Sequence, residues 1–186
     1  VGVTAKYTPV AVLLHWVIAV LIGVNICLGL GANYVPDADV RPMLDLHKSI
    51  GITVLGLLLV RVAWRLMHRP PALPVDYQRW EARAAQAAHL ALYVLMLALP
   101  VTGWIHDSAW SAAASHPMSL YWVIPWFRLG FITGLDPASK DAVHTLFGTV
   151  HTYLGYCLYS VLGLHVVGAL KHQFFDKQPE LQRMWR

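Results

Sequence analysis

Charge is what this sequence has least of. Lys, Arg, Asp and Glu make up 13% of its 186 residues, about half the share of an ordinary soluble domain. From Asp141 to Lys171 there is none, a gap of 29 residues. Pro9 to Ala32 is likewise uncharged. Such runs argue against a soluble enzyme and are long enough to cross a bilayer. Cysteine is scarce too. Cys27 and Cys157 are the two present, each inside an apolar run, and no CxxC or CxxCH motif occurs. A disulfide framework is thereby excluded. No internal repeat or low-complexity tract breaks the chain. The first apolar run has no small-residue cleavage site, so it reads as a retained span and not a signal peptide.

Hydrophobic residues, at 57%, fill the remaining picture. They predict an all-α fold, a transmembrane four-helix bundle formed by one domain over 1–186, with spans at about 9–32, 46–67, 83–105 and 142–175. Pro9 suits the first helix start, and Gly29, Gly31 and Asn33 suit its end. Asn33 to Asp45 reads as a short polar link. Arg69 to Pro74 reads as an extended proline-rich connector. Pro100 is expected to kink the third span. His106 to Lys140, with Trp110, Tyr121, Trp122 and Trp126, has the composition of a segment lying on the membrane surface. Lys6, Arg61, Arg65, Arg69, Arg79, Arg83, Lys171, Lys177, Arg183 and Arg186 fall on one side, against Arg41, Lys48, Arg128 and Lys140 on the other. The positive-inside rule then places both termini in the cytoplasm. The net charge of +4 is explained by this topology, with no need for a nucleic-acid partner.

Histidines mark the interior. His144, His151, His165 and His172 recur at intervals of 7, 14 and 7, close to one stripe of a helix. His151 and His165 are about 21 Å apart along the axis. An imidazole inside a span is costly and faces the protein interior. Topology gives each a partner at its own depth: His15 in span one with His165, and His47 in span two with His151. Two imidazoles facing each other in a dry helical bundle suit the axial positions of haem iron. Zinc would need further ligands, and none of Cys or carboxylate character lies at either level. Small residues sit near each candidate: Ala11 and Ala19 by His15, Gly51 after His47, Gly148 and Gly155 around His151, Gly168 and Ala169 after His165. Arg61 lies 14 residues beyond His47, at the depth of the His15–His165 pair, where a haem propionate would be a bidentate partner. Lys48 is the corresponding cation at the His47 level. Snorkelling to the headgroups is the alternative for Arg61 and Arg65. His89 is an alternative to His15 as ligand, or a propionate partner. His144 is a rival for the outer site. His68, His106, His116 and His172 read as interfacial. Trp16, Trp64, Trp104 and Tyr153 read as packing residues.

In order and spacing, His15-Trp16, Leu46-His47-Lys48-Ser49-Ile50-Gly51, Arg61 with Trp64-Arg65, Ala88-His89 leading to Leu99-Pro100, His151, Gly163-Leu164-His165 and Ala169-Leu170-Lys171-His172 with Phe174-Phe175-Asp176-Lys177 form a pattern across the whole chain. It resembles the bacterial cytochrome b561 family of small inner-membrane proteins. The resemblance implies two haem b groups, ligated by His15 with His165 and by His47 with His151. It also implies electron transfer to or from a quinone such as ubiquinone, in the bacterial inner membrane. Within that family some members oxidise superoxide at the periplasmic face and reduce ubiquinone. Others are cytochrome b anchor subunits of a hydrogenase or dehydrogenase, which need a redox partner subunit. An oxidoreductase of the superoxide:quinone type and an anchor subunit both stay open from sequence. Arg41, Lys48, Arg128 and Lys140 are candidates to steer an anion at the outer face, although six aspartates lie on the same side. A histidine-lined, non-redox transporter is the contrasting class. It would need carboxylates along a wet path, and no Asp or Glu lies inside any proposed span.

Overall fold

The computed structural model describes residues 6–69, 71, 78–178 and 180–185. Most of the proline-rich connector therefore lies outside the described residues, as does Arg186. Four long helices form the body: α1 Pro9–Gly31, α2 Asp37–Met67, α3 Arg79–Ser108 and α5 Pro137–Phe174. Each is long and apolar enough to cross a membrane. Between α3 and α5 come a 3₁₀ turn at Ala113–Ser115, strands β1 Ser119–Leu120 and β2 Ile124–Pro125, and a one-turn helix α4 Gly130–Thr133. A short α6, Glu180–Arg183, closes the chain. The bundle is thus the four-helix architecture expected, packed chiefly as α1 on α2 and α3 on α5, with α2 also against α3.

Local chemistry explains the helix starts. Thr8 and Asp136 cap α1 and α5 through their side-chain oxygens, each followed by proline at the first helical position, where the missing N–H costs nothing. Gln78 and Glu81 form a reciprocal capping box on α3. The polar stretch read as a link before span two is partly helical. α2 begins at Asp37, with Asp37 and Asp39 in its first turn, where carboxylates favour the helix dipole. Arg41, Asp45 and Lys48 then form ion pairs up the same face, with Arg41 to Asp45 at 3.4 Å and Lys48 to Asp45 at 2.7 Å. Apolar periodicity cannot reveal helix of that kind.

The two ends of the bundle differ in how they are closed. At the terminal end, the Tyr7 N–H donates to the Arg183 carbonyl at 3.4 Å, and Trp16 Nε1 donates to the Met184 carbonyl at 2.8 Å. Both described termini therefore lie together, next to the start of α1 and the end of α2, where Trp64 Nε1 donates to the Thr8 hydroxyl. The opposite, hairpin end is closed by the β1–β2 ribbon. Tyr121 and Trp122 at its turn have φ of 52° and 60°, a conformation uncommon for bulky residues. It is held from outside: the Tyr121 N–H donates to Ser49 Oγ at 2.9 Å, and its phenol lies 2.7 Å from Thr53 Oγ1. Between the two ends, Ile18, Ile50 and Val54 form a small buried cluster with Leu21, Ile22, Leu57 and Met96 around it. Much of the remaining apolar surface, such as Leu13, Leu59, Leu90 and Leu164, points outward. A soluble domain rarely exposes so much, whereas lipid accepts it.

Candidate haem-ligating centres

At the hairpin end, His47 from α2 and His151 from α5 bring their ring centroids to 6.1 Å, with planes at 80°. A bond of about 2 Å from a metal to each imidazole nitrogen, extended by a ring radius of about 1.1 Å, separates the centroids of two trans imidazoles by about 6 Å. The tautomers also suit this arrangement. His47 Nδ1 lies 3.0 Å from the Asn25 carbonyl, and His151 Nδ1 lies 3.1 Å from the Leu99 carbonyl and 3.2 Å from Thr102 Oγ1. A carbonyl only accepts, so each Nδ1 carries the hydrogen and each Nε2 keeps its lone pair for a ligand.

Both contacts use the same backbone device. Gly29 stands four residues after Asn25, and Gly103 four after Leu99, one helical hydrogen bond further on. A Cβ on Gly29 would lie 3.0 Å from His47 Cε1, and one on Gly103 would lie 3.2 Å from His151 Cε1. Without that methyl group, the imidazole reaches the carbonyl. These two glycines come from neighbouring helices, not from the ligands' own. They join the small residues noted along the ligands' own helices, of which Gly51, Gly148 and Gly155 line the same cavity as His47 and His151. Gly51 has Asn25 Nδ2 as its nearest neighbour, Gly155 has Tyr159, and nothing lies within 4 Å of a Cβ at Gly168.

A cavity of about 610 Å³ opens between these residues, lined by His47, His151, Asn25, Gly29, Gly51 and Gly103 among others. Its size is that of a cofactor or drug-sized ligand site. The Asn25 Oδ1 is buried there without a hydrogen-bond partner. Two neighbouring imidazoles with free Nε2 lone pairs, a cleared apolar slot and an orphaned polar atom fit a flat metal-bearing group. At its rim, Asp107 is held between Lys48 at 3.1 Å and Arg128 at 2.8 Å, and the Arg41 guanidinium lies 4.5 Å over the Trp110 ring. Lys48 thus stands beside the cavity, paired with Asp45 and Asp107.

At the terminal end, His15 from α1 and His165 from α5 meet with centroids 6.3 Å apart and planes at 71°. The spacing again suits two axial imidazoles. The surroundings are different. His89 from α3 comes within 5.2 Å of His165, so three histidines share this level. His15 Nδ1 faces a donor, Arg61 Nη2, at 3.4 Å. The same guanidinium reaches the Tyr93 phenol at 3.1 Å and the Ala11 carbonyl at 3.3 Å, and Arg65 lies 5.7 Å over the Tyr93 ring.

Other sequence candidates fall elsewhere. His106 and His144, read separately from the sequence, stack at 3.8 Å. His68 stacks on Trp64 at 3.9 Å. Glu81, His172 and Asp176 cluster tightly enough for a metal ion, but the Lys171 ammonium already lies 2.6 Å from Glu81 and 2.8 Å from Asp176. Its hydrogen bond holds the Asp176 carboxyl below its ordinary value.

Residues 6–186 match the family profile described as prokaryotic cytochrome b561. Among curated proteins, cytochrome b561 homolog 2 of Escherichia coli K12 is 31% identical over 96% of this chain and 90% of its own length. Cytochrome b561 homolog 1 of the same organism is 23% identical, over 96% of each chain. The probable superoxide oxidase CybB of Yersinia pestis is 26% identical over 96% of this chain and 95% of its own length. With four helices that can span a bilayer, this is a multi-pass membrane cytochrome b, whose family implies haem b. The chain belongs to the prokaryotic cytochrome b561 family.

Proposed function

We propose that this protein carries electrons through the bacterial inner membrane between a one-electron donor and quinone, using two haem b groups held by His47 with His151 and by His15 with His165. The observation that carries the reading is the pair of imidazole–imidazole separations, 6.1 and 6.3 Å, at two depths about 21 Å apart along α5. Bound haem supplies a one-electron iron couple at each level. The chain supplies the rest. The Asn25 and Leu99 carbonyls hold the His47 and His151 hydrogens on Nδ1. Gly29 and Gly103 clear the space for the rings. Apolar residues around Ile18, Ile50 and Val54 keep water from the region between the levels. Arg61 would meet a propionate at the terminal end, while Lys48, the corresponding cation at the hairpin end, is paired with Asp45 and Asp107.

The orientation that places the termini in the cytoplasm puts the hairpin end at the periplasm. The name carried by the Yersinia relative supports superoxide as a donor, with ubiquinone as acceptor. The reaction class is then superoxide:quinone oxidoreduction. To test it, the haem-loaded protein in proteoliposomes with ubiquinone is supplied with a steady external source of superoxide. The proposal expects quinol to form in proportion to superoxide consumed, two superoxide anions and two protons converting one quinone into one quinol with release of two dioxygen molecules. Quinone reduction only upon addition of a soluble partner subunit would instead assign the chain as an anchor cytochrome.

A further inference from the structure

The carbonyl-and-glycine device occurs a third time, away from the four proposed ligands. His106 Nδ1 lies 2.8 Å from the His144 carbonyl, and Gly148 stands four residues after His144. A Cβ on Gly148 would lie 2.8 Å from His106 Cε1. The contact is returned: His144 Nδ1 lies 3.0 Å from the His106 carbonyl, and the two rings stack at 3.8 Å with planes only 19° apart. Because carbonyls only accept, both Nδ1 hydrogens are committed. In the neutral rings, both Nε2 atoms are left as acceptors.

This pair lies between two openings. It lines the main cavity with His47 and His151, and it lines a separate lateral pocket of about 400 Å³ between the hairpin ends of α3 and α5. Gly148, Thr152 and Tyr156 are also common to both. The lateral pocket continues over Thr145, Thr149 and Tyr153. Those hydroxyl residues are exposed on one face of a helix otherwise suited to lipid. Thr149 and Thr152 donate to the Thr145 and Gly148 carbonyls, so their oxygens remain as acceptors. The pocket therefore combines an opening on the exposed face of α5, several acceptors beside the Tyr153 and Tyr156 phenols, and residues shared with the His47–His151 cavity.

We propose that this lateral pocket binds the hydroquinone ring of a membrane quinol, with His106 and His144 accepting its hydroxyl hydrogens through Nε2. The proposal rests on the quinone reading above and names where that partner docks and which redox form fits. A quinone ring has only carbonyl acceptors and finds no donor in the two imidazoles, the Tyr153 and Tyr156 phenols being the O–H donors in the lining. A quinol ring has two hydroxyl donors and an apolar tail that stays in the lipid. Quinol is bound whether it is the substrate or the product of electron transfer.

The test measures partition of a decyl-tailed benzoquinol, and of its quinone form, into nanodiscs carrying the haem-loaded protein, relative to empty nanodiscs. Wild type is expected to prefer quinol by about fivefold or more, one hydrogen bond or better. Thr149→Trp, which fills the lateral mouth from the lipid side, is expected to weaken quinol binding about tenfold with the haem spectrum unchanged. Leu164→Trp, on the lipid face at the other end of the same helix and 70% exposed, is expected to change neither. His144→Phe keeps a flat ring, removes one Nε2, and is expected to erase the preference for quinol. Tight quinol binding that Thr149→Trp leaves intact would overturn the placement and leave the quinone reading standing. Specific binding of neither form by wild type would overturn both. A preference for quinone would overturn the assignment of the two imidazoles as acceptors.

Discussion

His47 and His151 are each fixed by a helix carbonyl and a glycine on a neighbouring helix, whereas His15 and His165 meet among a third histidine and an arginine. Both pairs reach the spacing of two axial ligands. The hairpin end reaches it by shape, since backbone atoms set the tautomer and the slot before any ligand arrives. The terminal end reaches it amid polar side chains that can rearrange. Arg61 is shared among Tyr93, Ala11 and His15, and His89 offers a substitute imidazole. On the proposed function, the chain would offer a rigid seat at one end and an adaptable one at the other.

The sharpest way to break this comparison is to fill the slot. Gly103→Val adds a branched side chain where even a Cβ would sit 3.2 Å from His151. It is expected to remove the hairpin-end haem, halving the pyridine haemochrome count, while the terminal-end spectrum persists. Gly23→Ala is its control. Nothing lies within 4 Å of a Cβ there, so the expected result is full haem content and a gain of up to about 1 kcal/mol in helix stability. Equal haem loss from both variants would refute the idea of a shaped seat.

The ion cluster at the hairpin rim is the next lever. Asp107→Asn leaves Lys48 and Arg128 without the carboxylate they share. The Asp107 and Arg128 side chains are only 10% and 9% exposed, so a loss of about 3 kcal/mol is expected, read as a lower midpoint in thermal unfolding. A midpoint unchanged from wild type would show that the rim contributes no rigidity.

Arg61 probes the terminal end. Its positive charge favours the reduced state of a nearby iron. Arg61→Gln is expected to lower the midpoint potential of the terminal-end haem by several tens of millivolts, the one-electron equivalent of about 1–2 kcal/mol. The other potential should stay fixed. Redox titration monitored by visible absorbance separates the two. A shift of both potentials together would mean that the ends are not independent.

Much of this arrangement is legible in the sequence because the bilayer simplifies the reading. The uncharged run after Asp141 and the seven-residue beat of its histidines give the helix, its face and the two depths. What escapes is whatever depends on helix rotation or on backbone atoms. The His106–His144 stack needs the relative rotation of α3 and α5, which no single-helix pattern contains. The Asn25 and Leu99 carbonyls belong to the backbone and have no residue signature. Only the glycine four positions later hints at them, and Gly29 reads equally well as a helix end. The first turns of α2 escape because their stability comes from Asp37, Asp39 and an ion-pair ladder, not from apolar periodicity.

Electron paramagnetic resonance of the oxidised protein, combined with a haem count for wild type, His15→Ala, His165→Ala, His47→Ala and His151→Ala, tests the central claim most directly. The account predicts two distinct low-spin signals in wild type, one lost in both His15→Ala and His165→Ala, and the other lost in both His47→Ala and His151→Ala. Loss of the same signal from His15→Ala and His47→Ala, or a single haem in wild type, would contradict the two-level pairing on which the proposed function stands.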